Sequence, residues 1–374
     1  MFTTHTVTYQ NANSLSMLGD ESIDLVVTSP PYPMIEMWDQ QFIQFNTLIG
    51  GYLETGDYVR AFEAMHEMLD KVWCELFRVM KNGAFVCINI GDATRTIENR
   101  FQLFANHVRI QKKFIEIGFD VLPGIIWRKQ TNAPSKFMGS GMLPAGAYVT
   151  LEHEHILIFR KGNKRIFASA EEKNKRMQSG YFWEERNTWF SDLWDFKGIR
   201  QEINDKELRK RSAAYPVLLP FRLINMYSVF GDTVLDPYLG TGTTVLAALA
   251  AGRNSVSCEI DRSFAPLIKK RIAEEYHSLN SYNRQRITKH IDFVENYDLL
   301  KGGMKYTNSY FGFPVMTKQE REMQLAFLKA VSEVEKDVFE ATYYDSAYIK
   351  SLNFKEPTLE ILPVGSEVQQ TIVF

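Results

Sequence analysis

The chain has 374 residues, of which 45% are hydrophobic and 24% are charged, and its formal net charge is −2. This length allows one large domain or two ordinary ones. Cys74, Cys87 and Cys258 are too few and too scattered for a disulfide framework or a metal knuckle. No apolar run reaches membrane-spanning length, and the N-terminus lacks the pattern of a signal peptide. We therefore expect a cytoplasmic protein without a metal.

Short apolar runs alternate with helical patterns in the first 162 residues, which is typical of a mostly parallel α/β sheet. A helix over 58–79 is indicated by apolar residues at helical spacing and by the Lys-Asn-Gly stop that follows. The predicted strands are 22–29, 83–92, 119–127 and 153–162, and the predicted helices are 58–79 and 101–118.

A polar stretch from 163 to 212 interrupts this pattern and carries Trp183, Trp189 and Trp194. It shows no clear period, so we interpret it as an insertion with a small core formed by the three tryptophans. Basic residues concentrate in 160–176 and 209–211. Such a cluster is either a solvated face or a surface for nucleic acid.

The α/β pattern returns at Tyr215. Beyond about residue 290 we find no motif, but helical patches such as 318–341 are predicted. The chain is therefore divided into 1–162, the insertion at 163–212, a second α/β part at 213–290, and an extension of unknown role at 291–374. The predicted elements of the second part are helices at 216–229 and 264–279, a strand, turn and helix over 232–252, and a strand at 255–261.

The segment VLDPYLGTGTT (234–244) places Gly240 and Gly242 between a strand and a helix. Glycines at such a turn allow positive φ and close approach of a ligand, which should lie beyond the carboxyl ends of the strands. The third glycine of the dinucleotide fingerprint is absent. The next predicted strand ends in Glu259 and Asp261, about 20 residues past the turn, where a ribose-binding carboxylate is expected.

The segment TSPPY (28–32) follows the apolar run IDLVV. Proline lacks an N–H and restricts the residue before it, so the chain leaves this strand as a stiff extended arm. The arm carries Ser29 before the prolines and Tyr32 after them.

Together, TSPPY and DPYLGTGTT resemble the motifs of DNA amino-methyltransferases, which use S-adenosylmethionine to methylate exocyclic amines of DNA bases. The matching elements span most of residues 10 to 275, and the catalytic motif precedes the cofactor motif, as in the permuted β group. The resemblance implies a doubly wound, Rossmann-like α/β sheet, a catalytic part at 1–162, a DNA-recognition insertion at 163–212 and a cofactor part at 213–290.

The resemblance also implies roles for individual residues. Ser29 Oγ and the Pro30 carbonyl would accept the two hydrogens of the target amine, Pro31 would hold the arm rigid, and the Tyr32 ring would stack on a base flipped out of the duplex. Asn13 stands where the family usually has Asp, and Tyr238 where it usually has Phe. The residues implied for the cofactor are Asn13, Asp236, Pro237, Tyr238, Gly240, Thr241, Gly242, Thr243 and Glu259, with Asp261 as the competitor of Glu259 for the ribose.

The expected partner is duplex DNA, whose phosphates would meet basic side chains. A homodimer and a restriction endonuclease acting on the same site are further candidate partners. The basic residues implied for DNA are Lys129, Lys136, Arg160, Lys161, Lys164, Arg165, Arg209, Lys210 and Arg211. His153 and His155 share one face of a predicted strand, which we interpret as a strand-face pair without a metal.

Serine at the first catalytic position favours cytosine N4 as the methylated atom in this family, and adenine N6 is the alternative. A methyltransferase acting on RNA or on a protein glutamine, which usually carries Asn-Pro-Pro-Tyr, is less favoured. A DNA-binding protein without activity is a third hypothesis.

Overall fold

The computed structural model describes residues 1–97, 100–129, 138–198 and 215–352. Lys136, Arg209, Lys210 and Arg211 lie outside these ranges. The strands are β1 Phe2–Thr8, β2 Ile23–Thr28, β3 Met80–Ile90, β4 Ala93–Ile97, β5 Arg100–Phe104, β6 Phe119–Arg128, β7 Met138–Gly139, β8 Ala147–Tyr148, β9 His153–Lys161, β10 Leu193–Asp195, β11 Thr233–Asp236, β12 Asn254–Cys258, β13 Tyr306–Thr307, β14 Pro314–Val315, β15 Leu328–Glu335 and β16 Val338–Tyr343. The helices are α1 Asp39–Phe45, α2 Leu48–Glu54, α3 Tyr58–Val79, α4 Asn106–Ile117, α5 Ala170–Gln178, α6 Trp183–Trp189, α7 Leu218–Tyr227, α8 Thr243–Ala251, α9 Ala265–Lys301 and α10 Ser346–Ser351.

Ten of these strands form one sheet in the order β10-β6-β9-β3-β2-β11-β12-β1-β16-β15. The five central strands, from β3 to β1, are parallel to one another. Only β9 and β16 run against the central direction, because each pairs antiparallel with its neighbours. The predicted mostly parallel α/β sheet is confirmed. The carboxyl ends of β3, β2, β11 and β12 consequently lie side by side at one edge.

Both faces of the sheet are covered, which makes the fold doubly wound. Leu25 and Val27 of β2 point into a core that α7, α8 and α9 cover. Val26 points into a second core on the opposite face, beneath α3 and α4. A strand that is buried on both faces has a continuous apolar sequence, which explains the IDLVV pattern of β2.

The helix predicted at 58–79 has these same bounds in the structure. Its N-terminus is capped by the Asp57 side chain, which accepts the Arg60 N–H, and its apolar stripe faces the second core. Gly118 ends α4 in a left-handed conformation with φ +110°, as predicted for a helix stop.

Two helical predictions are wrong. Residues 101–104 belong to β5, which forms a hairpin with β4, so the helix begins only at Asn106. Residues 328–343 form the antiparallel hairpin of β15 and β16 in place of a helix. Pairing with β1, a strand that sequence patterns did not indicate, overrides the local helical pattern there.

The region from 163 onward does not have the separate core that we expected. Trp189 and Trp194 are buried in the main core, and β10 pairs with β6 at the edge of the main sheet. Trp183 is 41% exposed and stacks on Phe293 of α9. The three cysteines are unpaired. Among the helices of the described ranges, none has the length and apolar character that a bilayer span requires.

Candidate active site

A cavity of about 520 Å³ opens at the edge where the parallel strands end. Apolar side chains that include Met68, Leu69 and Phe264 form part of its wall. Residues of the TSPPY arm and of the glycine turn, far apart in the chain, line this same cavity. The predicted residues that line it are Asn13, Ser29, Pro30, Pro31, Tyr32, Pro237, Tyr238, Gly240, Thr241, Thr243, Glu259 and Asp261.

The arm begins at Ser29, directly after the fully buried strand β2. Ser29 Oγ donates a hydrogen bond to the carbonyl oxygen of Asn89 at 3.0 Å and lies 3.1 Å from the Tyr32 hydroxyl. The Tyr32 ring packs on Gly91, where a Cβ atom would meet the ring at 3.0 Å. A side chain at position 91 would therefore require the Tyr32 ring to shift by a few tenths of an ångström.

The chain after the arm is held in a strained backbone conformation. Met34 has φ +65° and is buried. The Pro33 carbonyl accepts the Asn106 amide at 3.0 Å, and the Met34 carbonyl accepts Arg95 Nε at 2.8 Å. A strained backbone conformation persists only where surrounding contacts hold it in place. These two hydrogen bonds do so here and fix the path of the chain beyond Tyr32.

Asp236 is buried at the end of β11 and does not line the cavity. Its Oδ1 atom accepts the Thr28 hydroxyl at 2.6 Å and the Tyr238 N–H at 3.0 Å, and its Oδ2 atom accepts the Thr244 hydroxyl at 2.6 Å. Burial raises the pKa of this carboxyl to about 6. Asp236 thus joins the strand before Ser29 to the helix after the glycine turn.

The glycine turn takes the positive φ angles that its sequence requires, +56° at Gly240 and +88° at Gly242. Glu259 lies beside it and is 8% exposed. One carboxylate oxygen accepts the Gly240 N–H at 2.7 Å and the other accepts the Asp261 N–H at 2.8 Å. Burial raises the pKa of Glu259 to about 7. Asp261 instead accepts the N–H and the hydroxyl of Ser263.

Sequence reasoning missed Asn89 and Glu154. The Asn89 amide nitrogen donates to the Tyr32 hydroxyl at 2.8 Å and to Glu154 Oε2 at 2.6 Å. The sequence signal that could have identified Asn89 is the presence of a polar residue near the carboxyl end of a buried strand. Glu154 gave no such signal, because β9 is antiparallel and brings its amino end to this edge.

The predicted DNA-contacting residues separate into two groups. Lys129 lies at the edge of the sheet where the cavity opens, and its ammonium group pairs there with Glu154. Arg160 and Lys161 lie at the far end of β9, near the opposite edge, where Arg160 pairs with Asp120 at 2.8 Å. Arg165 pairs there with Asp232 at 2.6 Å.

The charges of Arg160, Lys161 and Arg165 thus meet carboxylates beside the amino ends of the central strands, at the edge opposite the cavity. Lys164 is exposed and adjoins Arg165 in the chain. Contact of these four residues with DNA stays a prediction.

Histidine side chains gather next to the arm. His153 and His155 share a strand face, with ring centroids 4.9 Å apart. His155 also stacks on His107, whose Nδ1 atom lies 2.8 Å from an oxygen of Asp92. Donor atoms of Asp92, His107 and His155 lie within 4.8 Å of one another, a grouping that the sequence did not suggest.

The fold and the cavity together define a class: a doubly wound α/β protein whose glycine turn and Ser-Pro-Pro-Tyr arm face one space. A family model for DNA methylases matches residues 23–270. The chain belongs to this DNA methylase family.

Individual relatives agree with the family assignment. The chain is 51% identical over 347 residues to the Type II methyltransferase M.MthZI of Methanothermobacter thermautotrophicus, covering 92% of this chain and 96% of that one. It is 46% identical over 281 residues to the Type II methyltransferase M.MjaI of Methanocaldococcus jannaschii, and the match covers 72% of this chain and 91% of that one. The solved structure of TTHA0409 from Thermus thermophilus, in complex with S-adenosyl-L-methionine, matches with a TM-score of 0.56, 31% identity and coverage of 73% and 96%.

Proposed function

We propose that this protein is a site-specific DNA methyltransferase of a restriction-modification system that methylates the N4 amine of a cytosine flipped out of duplex DNA. The observation that carries the proposal is the shared cavity, in which Ser29 and Glu259 belong to one space at the carboxyl ends of β2 and β12, the two strands that flank β11. The assignment to DNA and to a modification system is supported by the Type II methyltransferases that resemble the chain.

S-adenosylmethionine is the methyl donor, and the glycine turn fits it. Each carboxylate oxygen of Glu259 accepts one backbone N–H and retains a lone pair for a ribose hydroxyl. Tyr238, Met68 and Phe264 offer apolar surface for the adenine. When bound, the cofactor would supply a methyl group on a positively charged sulfur. The amine nitrogen would accept the methyl group, the sulfur would keep the electrons of the broken bond, and the amine would release a proton.

The arm supplies the acceptors for the target amine. The lone pair of an exocyclic amine is delocalised into the base, so the amine reacts better when its hydrogens are held out of the ring plane. Ser29 Oγ and the Pro30 carbonyl are suited to hold them, because the Ser29 proton is engaged by Asn89 and proline fixes the backbone. Alignment of the amine is then the main contribution to the rate.

The preference for cytosine over adenine follows from Ser29, the form that the family uses mostly for cytosine. The test is incubation of the purified protein with S-adenosylmethionine and PCR-amplified, hence unmodified, genomic DNA, followed by nucleoside mass spectrometry. We expect N4-methylcytosine. N6-methyladenine alone would select the adenine alternative, and label in RNA or protein but not in duplex DNA would contradict the proposal.

The role of the arm is tested by Ser29→Ala. We expect turnover to fall about hundredfold or more, with cofactor binding retained, because the variant loses an acceptor that aligns the amine. Ser16→Ala, on the exposed loop before β2, is the matched control. Unchanged turnover of Ser29→Ala would remove Ser29 from the mechanism.

A further inference from the structure

The Ser29 hydroxyl has one proton and two lone pairs. Its proton goes to the Asn89 carbonyl at 3.0 Å, so lone pairs are what Ser29 can offer to a substrate amine. The Tyr32 hydroxyl, 3.1 Å away, competes for them. If Tyr32 directed its proton at Ser29, one acceptor position would be occupied before a base entered.

Glu154 gives the Tyr32 proton another destination. Its Oε2 atom lies 3.1 Å from the Tyr32 hydroxyl, and a carboxylate can only accept. Hydrogen bonds to a charged acceptor are about twice as strong as neutral ones, so the Tyr32 proton favours Glu154 over Ser29. Burial and the Glu154 charge also raise the pKa of Tyr32 well above its ordinary value, so the hydroxyl keeps its proton at neutral pH.

Two neighbours fix Glu154 in this position. The Asn89 amide donates to Glu154 Oε2 and to the Tyr32 hydroxyl, which leaves the tyrosine proton free to turn towards Glu154. Lys129 pairs with the other carboxylate oxygen. The Glu154 side chain is only 12% exposed, so water competes little for these bonds.

We propose that Glu154 is a positioning residue, which accepts the Tyr32 proton and thereby keeps a lone pair of Ser29 open for the substrate amine. The inference rests on the proposed function, since the amine is the group that Ser29 would receive. Glu154 itself does not touch the substrate in this scheme; it acts through Tyr32.

The first variant is Glu154→Gln. Lys129 favours the amide oxygen on its own side, which turns the new NH₂ group towards Tyr32 and towards the Asn89 amide, whose bond to residue 154 is therefore lost while its bond to the Tyr32 hydroxyl remains. The Tyr32 hydroxyl then accepts from the glutamine and directs its proton at Ser29. We expect kcat for methylation of PCR-amplified genomic DNA to fall about ten- to hundredfold, the rate equivalent of one hydrogen bond. The KM values for DNA and cofactor should change less than about threefold, because ground-state binding is kept.

The decisive measurement is a double-mutant cycle with Tyr32→Phe. This variant keeps the ring but removes the competing proton, so Glu154 loses its function in that background. We expect Glu154→Gln to lower kcat less than about threefold when added to Tyr32→Phe. A merely structural role would lower it equally in both backgrounds, and that additive result would overturn the inference, as would an unchanged kcat in Glu154→Gln alone.

Two controls complete the experiment. Glu152→Gln changes an exposed carboxylate two positions away and should leave kcat unchanged. If Glu154→Gln does not fold, Glu154→Asp takes its place in the cycle, because it keeps the charge beside Lys129 but draws the oxygens away from Tyr32. Absence of DNA methylation by the unmodified protein would refute the proposed function, whereas methylation with an additive cycle would refute only the role of Glu154.

Discussion

The Thr28 hydroxyl donates a 2.6 Å hydrogen bond to the buried carboxyl group of Asp236. This bond ties the residue before Ser29 to the strand that leads into the glycine turn. It therefore couples the two halves of the cavity through a contact between two residues that do not line it.

Replacement of Thr28 by valine removes this hydroxyl from a site that is 1% exposed. Burial raises the pKa of Asp236 to about 6, so the carboxyl is ionised at pH 8 and mostly protonated at pH 5. A hydrogen bond to the ionised group is the stronger one. We expect Thr28→Val to lower the free energy of unfolding by about 1.5–3 kcal/mol at pH 8 and by less at pH 5, measured by urea denaturation. Thr28→Ser keeps the hydroxyl as the control, and equal losses at both pH values would contradict this account.

Binding of S-adenosylmethionine should depend on the ionisation of Glu259. Its pKa of about 7 means that the free protein gains the charged acceptor as the pH rises from 6 to 8. We expect the Kd to fall by up to about tenfold over this range, measured by calorimetry. Glu259→Gln should bind more weakly and lose this part of the pH dependence.

The variant Asp261→Asn distinguishes which of the two carboxylates, Glu259 or Asp261, binds the ribose. Asp261 already caps the turn at Ser263, so we expect the pH dependence to remain in this variant. Weaker cofactor binding in Asp261→Asn, with unchanged binding in Glu259→Gln, would assign the ribose to Asp261.

A buried ion pair connects α6 and α9. Arg286 contacts both carboxylate oxygens of Glu185 at 2.6 and 2.8 Å, and both side chains are at most 10% exposed. Glu185→Ala leaves the arginine charge unpaired, so we expect a loss of about 3–5 kcal/mol in the free energy of unfolding. Glu171→Ala, on the exposed helix α5, should change it by less than about 0.5 kcal/mol. A loss below about 1 kcal/mol in Glu185→Ala would show that water replaces the partner.

The backbone conformation at position 83 and the close approach of Arg165 require a glycine there. Its φ is +86°, and a Cβ atom there would lie 2.6 Å from the backbone nitrogen of Arg165. We expect Gly83→Ala to lower the free energy of unfolding by more than about 1 kcal/mol. Gly51→Ala in helix α2, where nothing lies within 4 Å of the added atom, should instead stabilise by about 0.5–1 kcal/mol. Thermal denaturation of the two variants should therefore shift in opposite directions.

Sequence patterns predicted the elements whose signals are local. The helix at 58–79 carries its own periodicity and stop, and Ser29 and Glu259 could be placed together because parallel strands end at one edge. Glu154 could not be placed, since its position at that edge depends on the reversed direction of β9. The helical prediction for 318–341 failed from residue 328 onward because pairing with a distant strand, β1, decides the structure there.

The position of β1 has a consequence for how the chain folds during synthesis. His5 bonds to Ser255, 250 positions away, and Thr3 bonds to Tyr343, 340 positions away. These contacts close loops that span most of the chain, so β1 cannot take its place until β12 and β16 have left the ribosome. Strand β1, although it precedes the other strands in the chain, is therefore among the last parts of the sheet to be completed, and until then the edge of β12 that β1 will cover is unpaired.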